Sequence, residues 1–348
     1  MDDRTPDRPL VSIIVVNWNG RRFLDDCLAS LEAQTWPRCE FLLVDNGSTD
    51  GTAERIRAWA GARPEAQTIF LPDNQGFCRP NNLAFARARG EWIALLNNDA
   101  VAESDWVEEL MRYADAARRI GMLGGKILFF EPAGVIDKAG HLLYRDGQNR
   151  GRGTMEPDRG QYDRAEEILW PDGCAALYHR RIFEETGGFD ESFFAYGDDA
   201  DLGMRARLIG WKAWYVPTAV VHHRHSATAG SYSPLKVMLV ERNRLLLAIK
   251  NFPMSLLWQN PYWTLRRFYW NARAAVRQKG SAGRLVENQG WWGLLRILAW
   301  AYASAVRRLP AAWRRRRAIQ RTKLLSSREI LELIRRFEID VRELTQRE

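Results

Sequence analysis

The chain is 348 residues long, enough for one large α/β domain with an appendage or for two domains. Its 46% hydrophobic and 27% charged residues exclude disorder as the default state. The net charge of +8 is unevenly spread, with 24 Lys and Arg against 8 Asp and Glu in residues 235–348 and 27 against 35 in residues 1–234. Two parts with different partners are therefore expected.

Residues 11–16 read as a β-branched strand, and residues 21–34 as a helix with Phe23, Leu24, Leu28 and Leu31 on one face. A second strand over 41–44 ends in Asp45-Asn46-Gly47-Ser48, and a helix over 52–60 follows. A short strand at 68–71, a helix over 80–89 and the apolar strand Trp92–Leu96 come next. Strands alternating with helices imply right-handed βαβ units, hence an α/β fold with a mostly parallel sheet flanked by helices. The next helix begins near Glu103. Past Ile120, strand-like runs at 122–130 and 175–178 flank a Gly-, Arg- and Asp-rich stretch, 145–161, that reads as a mobile loop. A helix over 199–209 stops at Gly210, and strands at 211–216 and 219–221 lead into His222-His223-Arg224-His225-Ser226.

From about Pro234 the sequence is helical, basic and aromatic, and residues 235–348 hold seven of the fifteen tryptophans. The apolar run 291–306 contains Arg296 and falls short of the ~20 residues that span a bilayer, so no transmembrane helix is expected. Residues 327–347 set Ile330, Ile334, Phe337, Val341 and Leu344 on a heptad seam, the mark of a docking helix or of a homo-oligomer contact. The expected division is 1–234 and 235–348. Cys27, Cys39, Cys78 and Cys174 form no Cys-x-x-Cys pair and read as reduced thiols, and the polar residues 1–4 carry no apolar signal core; both suggest a cytoplasmic location.

Four polar clusters fall at strand ends or in the loops after them, where open α/β sheets hold ligands. Asp45 would accept a hydrogen bond from the N3–H of uracil or thymine; its alternative is an Asx turn. The segment 74–82, with Asn74, Gly76, Arg79 and Asn82, sets amides and an arginine ahead of a helix N-terminus, suited to an anion. Asn97-Asn98-Asp99 closes the strand from Trp92. Asp99 is either the cap of the following helix or a hard oxygen ligand for Mg²⁺ or Mn²⁺ that also holds a diphosphate. Asp198, Asp199 and Asp201 crowd three carboxylates into four residues after Phe193, Phe194 and Tyr196. A fold keeps such a group where a cation or proton compensates, and one of the adjacent pair suits a general base. A neutral imidazole from 222–225 would complete a metal shell with Asp99.

In order, Val-Val-Asn-Trp-Asn-Gly, Val-Asp-Asn-Gly-Ser-Thr-Asp-Gly-Thr, Asn-Gln-Gly-Phe, Leu-Leu-Asn-Asn-Asp, Gly-Gly-Phe-Asp-Glu-x-Phe-Phe, Gly-Asp-Asp-Ala-Asp-Leu and His-x-x-Ser resemble the family 2 glycosyltransferases. The bacterial rhamnosyltransferase-like branch, which builds surface polysaccharides, is the most similar. The resemblance covers about residues 9–250. It implies a GT-A fold, a nucleotide-diphosphate-sugar donor (dTDP- or UDP-linked, dTDP-rhamnose among them), a divalent metal (Mn²⁺ or Mg²⁺) and inversion at the anomeric carbon. By the same resemblance Asp45 binds the base, and Asn17, Asn74, Gly76, Arg79, Asn82 and Asn98 belong to the donor site. Asp99 and His223 hold the metal, with His222 as the competing assignment and Asn97 standing where many members have an Asp. Asp199 is the base, with Asp198 beside it.

Two other readings remain. A sugar nucleotidyltransferase or pyrophosphorylase would use Arg21-Arg22 after the first strand, but would leave Asp198-Asp199 without a role. A non-enzymatic basic protein would use the tail on nucleic acid or membrane. Tryptophan- and leucine-rich helices with arginines fit a membrane interface better than a phosphate backbone, so no nucleic-acid partner is expected. Residues 252–317 are expected on the inner face of the plasma membrane, near a glycan or lipid-linked acceptor; the alternative is packing on the catalytic domain.

Overall fold

The computed structural model describes residues 8–224, 233–277 and 280–346. His225, Ser226 and the last residue of the heptad segment lie outside that range. In chain order the first half runs β1 (Val11–Asn17), α1 (Arg21–Glu32), β2 (Cys39–Asn46), α2 (Thr52–Gly61), β3 (Ala66–Leu71), α3 (Cys78–Phe85), β4 (Trp92–Leu96), β5 (Ala100–Ala102), α4 (Trp106–Tyr113) and β6 (Ile120–Phe129). Then come β7 (Val135–Lys138), β8 (His141–Leu143), β9 (Asn149–Gly151), β10 (Glu156–Pro157), β11 (Glu166–Ile168), β12 (Ala175–His179), α5 (Arg180–Thr186), α6 (Asp198–Leu208) and β13 (Lys212–His223). Five helices end the chain: α7 (Pro234–Asn251), α8 (Met254–Val276), α9 (Gly280–Thr322), α10 (Ser327–Arg336) and α11 (Val341–Gln346).

All five residues of β4 are buried because helices cover both faces of the sheet. Trp92, Ala94 and Leu96 pack with residues of α1, α2 and α4, whereas Ile93 and Leu95 pack with α3, α5, α6 and α7. The period-2 alternation of β1 does the same, with Val11, Ile13 and Val15 on one face and Ile14 on the other. The result is three layers, helix on sheet on helix.

The sheet runs β3-β2-β1-β4-β12-β6-β7-β10, with β13 on β6 and β5 and β11 on β13. The pairs β2–β3, β1–β2, β1–β4 and β6–β13 are parallel. β12 is antiparallel to both β4 and β6, and β5, β7, β10 and β11 also join antiparallel. The sheet is therefore mixed rather than mostly parallel. Hydrophobic periodicity reports burial and not strand direction, so β12, arriving from later in the chain, could not be read as reversed. Because β12 reverses between β4 and β6, the strands β1, β2, β3, β4, β6 and β13 all point one way, and their carboxyl ends meet at one edge.

Three other expectations change. Residues 145–161 are not a loose loop: β9 pairs with β8 and β10 with β7. The two strands expected before His222 are one strand, β13, with a register shift between Val216 and Val220. The heptad segment breaks at Phe337 into α10 and α11. Ile330, Ile334, Phe337 and Val341 are buried within the chain, so this part of the seam packs intramolecularly. No helix among the described residues is long and apolar enough to cross a membrane.

Candidate active site

The carboxyl edge of the sheet borders a cavity of about 830 Å³. Asn74, Gly76, Asn98, Asp99, Asp198, Asp199 and His223 line it, as do Asp137, Lys138, His141, Asp172 and Lys236, which sequence reasoning missed. Asn17 and Asp45 are not part of the lining, and Asn17 is tied to it through Asn98. Arg79 is exposed and outside it, and Asn82 is occupied elsewhere, its amide donating to the Phe189 carbonyl at 2.9 Å and accepting from the Phe189 N–H at 2.9 Å. The expected anion site at the α3 N-terminus is filled by protein. The Phe194 carbonyl accepts from Phe77 N at 2.6 Å and from Cys78 N at 3.2 Å.

On the donor side, Asn17 and Asn98 are bonded to each other, Nδ2 of Asn98 donating to Oδ1 of Asn17 at 2.6 Å. Asp45 makes the Asx contact of the alternative reading, its Oδ2 accepting from Ser48 N at 3.2 Å. Its buried Oδ1 has no hydrogen-bond partner among the described residues, a cost a fold keeps where a ligand donor satisfies it. Asn46 organises the neighbouring loop. It donates to Asn74 Oδ1 at 3.0 Å and to the Gly76 carbonyl at 2.8 Å, and accepts from Gln75 N at 2.9 Å. Gly76 has φ +80°, and a side chain there would collide with the Phe194 carbonyl.

Asp99 does not cap α4, whose N-cap is Asp105. Its Oδ1 faces His223 Nε2 at 3.3 Å, while His223 Nδ1 meets Asp137 Oδ2 at 2.7 Å. Burial disfavours an imidazolium here, but Cys174, Asp137 and Asp99 outweigh it and hold His223 well above its ordinary value. His222 faces the other way on the strand and pairs with Glu103 at 3.0 Å. With a metal in place of the Nε2 proton, Asp99 and an imidazole whose far nitrogen is fixed by Asp137 would offer a donor set that fits a divalent ion.

A second carboxylate–histidine group lines the cavity. His141 Nε2 lies 2.8 Å from Asp172 Oδ2 and 3.4 Å from Asp199 Oδ2, and Lys138 Nζ pairs with Asp172 at 2.7 Å. Among the described residues, His141, Asp172 and Asp199 are the one group of three His/Cys/Asp/Glu side chains close enough to share an ion. Lys138 places a positive charge against Asp172 in this group. Burial raises Asp172, but Lys138 and His141 outweigh it and hold the carboxyl well below its usual range. Asp199 is raised by burial, with His141 opposing; burial and the charge of Asp199 raise Asp198 much further. Asp201 is not part of this group, being tied to Arg205 at 2.9 Å and Lys250 at 2.7 Å.

The loop bearing Asp198 is strained: Phe194 has φ 66° and ψ −65°, and Tyr196 has φ 68°. It is held from α7. Asn243 Nδ2 donates to the carbonyls of Phe193, Ala195 and Tyr196 at 3.1, 2.9 and 2.7 Å, and Arg242 donates to those of Ser192 and Phe193.

The sequence profile described as glycosyl transferase family 2 matches residues 12–187, about half of the chain. The chain is 31% identical over 236 residues to the O-antigen biosynthesis protein RfbC of Myxococcus xanthus, an alignment covering 65% of this chain and 18% of that protein. It is 28% identical over 282 residues to the N-acetylglucosaminyl-diphospho-decaprenol L-rhamnosyltransferase of Mycobacterium tuberculosis, covering 74% of this chain and 89% of the relative. Among solved structures, the mannosyltransferase PcManGT from Pyrobaculum calidifontis, in complex with GDP-Man and Mn²⁺, superposes with TM-score 0.52 at 18% identity over 87% of each chain. That likeness is one of fold, and it agrees with the expected GT-A architecture followed by a helical C-terminal region.

Proposed function

The chain belongs to glycosyl transferase family 2, and on that premise we propose that it moves a sugar from a dTDP- or UDP-linked donor, dTDP-rhamnose first among them, to a hydroxyl of a glycan or lipid-linked acceptor in cell-surface polysaccharide synthesis. The observation that carries this reading is one cavity lined both by the Asp99–His223 pair and by the half-buried, raised carboxyl of Asp199. Asp45 accepts the N3–H of the base on its unsatisfied oxygen, and Asn17 and Asn98 brace each other behind the diphosphate. Asp99 and His223 would hold Mn²⁺ or Mg²⁺, which when bound neutralises the diphosphate leaving group. Asp199 takes the proton of the acceptor hydroxyl as that oxygen attacks the anomeric carbon, and a single displacement inverts it. Asp198, whose carboxyl burial and the charge of Asp199 push well above its usual range, sits beside the base. Residues 1–234 carry the donor and the base; residues 235–348 brace the loop and dock the enzyme at the membrane that presents its acceptor. A nucleotidyltransferase reading lacks support, because Arg21 is tied to Asp25 at 2.7 Å outside the cavity.

The test is a panel of nucleotide sugars offered with Mn²⁺ or Mg²⁺ to wild type and to Asp199→Asn. Transfer should fall by about 10²–10⁴-fold in the variant while donor affinity stays unchanged. Wild-type turnover in Asp199→Asn would overturn the assignment of the base.

A further inference from the structure

α8 packs on α9, and each turns an apolar stripe to solvent. On α8 the stripe is Trp258, Tyr262, Leu265, Tyr269 and Val276, all at least 59% exposed and spaced 4, 3, 4 and 7 residues apart. That spacing keeps them on one side of the helix. On α9, beyond the break at Gly290, Trp292, Leu295 and Val306 are exposed on a second line of the same kind. Exposed arginines follow each stripe along one flank, Arg266, Arg273 and Arg277 on α8 and Arg296, Arg307 and Arg314 on α9. Residues 252–322 contain 14 Lys and Arg and a single acidic residue, Glu287.

We propose that this paired face of α8 and α9 is a docking surface for an anionic lipid bilayer, lying in the headgroup layer without crossing it. Helices that expose contiguous tryptophan, tyrosine and leucine beside arginines have the chemistry of an interfacial helix: the rings enter the acyl boundary and the guanidinium groups stay among the phosphates. Charge decides between occupants. A second copy of the chain on the same face would press arginine rows against arginine rows. A nucleic acid would leave Leu265, Val276 and Leu295 against water, since phosphates need the basic groups at the centre of the contact.

The placement connects to the reaction, and this part rests on the function proposed above. The inner side of α9 packs Ile297 and Ala301 against Phe194, Tyr196, Met238 and Leu239. One layer of side chains therefore separates the outward stripe from the strained loop that leads into Asp198 and Asp199 at the start of α6. A bilayer on this face brings a lipid-linked hydroxyl to the cavity.

The experiment is flotation of the full chain with vesicles of phosphatidylcholine alone and of phosphatidylcholine mixed with phosphatidylglycerol. Two variants accompany it, Trp258→Ser/Leu265→Ser/Trp292→Ser and Arg266→Gln/Arg273→Gln/Arg307→Gln. All substituted side chains are exposed, and unchanged melting checks the fold. Wild type should float with the mixed vesicles, with binding weakened about tenfold or more by either variant and by about 0.5 M salt. Absence of wild-type flotation, or equal flotation of the aromatic variant, overturns the proposal. So does a wild-type dimer in sedimentation that the aromatic variant dissolves, or a nucleic-acid shift stronger than vesicle binding. Donor hydrolysis without vesicles, measured alongside, should be the same in wild type and variants. Flotation without hydrolysis sinks the enzymatic reading and leaves the surface; hydrolysis without flotation does the reverse.

Discussion

Asp45 is a buried carboxylate and Asp199 a half-buried one on the cavity wall, and their surroundings suit different tasks. Asp45 has one oxygen turned to Ser48 N and one without a partner among the described residues, an arrangement that waits for a donor. Asp45→Asn removes the charge and should raise KM for uridine or thymidine donors by about 10–100-fold with kcat little changed, as lost hydrogen bonds to charged groups do. Asp199 has its carboxyl raised by burial and partly restored by His141. A base acts only when ionised, so the rate of transfer should fall as pH drops through a limb lying above the ordinary value of 3.8. His141 favours the ionised form, so His141→Gln should move that limb to higher pH. A pH–rate profile of kcat/KM reads both, and a limb that stays put in the variant would show that His141 does not act on the base.

At the scale of elements, α7 does more than cover the sheet. One asparagine, Asn243, takes three carbonyls of a loop in which Phe194 and Tyr196 adopt left-handed backbone angles that cost about 1–3 kcal/mol each. Asn243→Ala leaves those carbonyls unsatisfied and frees the strain, so Asp199 should lose its position. The expected result is a kcat lowered by about 10²-fold with donor affinity retained, since an error of about 1 Å in a catalytic group has that effect. Calorimetric titration of the nucleotide separates this from simple unfolding, because an unfolded variant binds none.

Over the whole molecule, the C-terminal helices are joined to the catalytic part by buried charge. Glu241 accepts from Arg267 at 2.7 and 2.9 Å and from Arg244 at 2.8 Å, and Arg267 also reaches Asp146 at 2.6 Å. Burial raises Glu241, but the two arginines outweigh it and bring the carboxyl down to about 2 from 4.5. A depressed carboxyl contributes stability above its unfolded value and loses it as pH falls toward its folded one. The melting temperature should therefore drop between about pH 4.5 and about pH 2. Glu241→Gln leaves Asp146 as the one carboxylate shared by the buried guanidinium groups of Arg244 and Arg267 and should cost about 3–5 kcal/mol at neutral pH, measured by denaturant unfolding.

Much of this was legible in the chain itself. The apolar runs and their alternation determined β1 to β4 with their helices, because local periodicity reports which faces are covered. Asp99, Asp198, Asp199 and His223 stood out because they sit where strands and turns end. Tertiary structure alone decided the rest. The reversal of β12, the placement of His223 rather than His222 on the cavity wall and the absence of Asn82 and Arg79 from that wall depend on which strand lies beside which. Asp137, His141 and Asp172 come from a stretch without periodic pattern, and Asn243 from a helix 44 residues beyond Asp199. Such residues meet only through contacts distant in sequence, and a one-dimensional pattern carries no record of them.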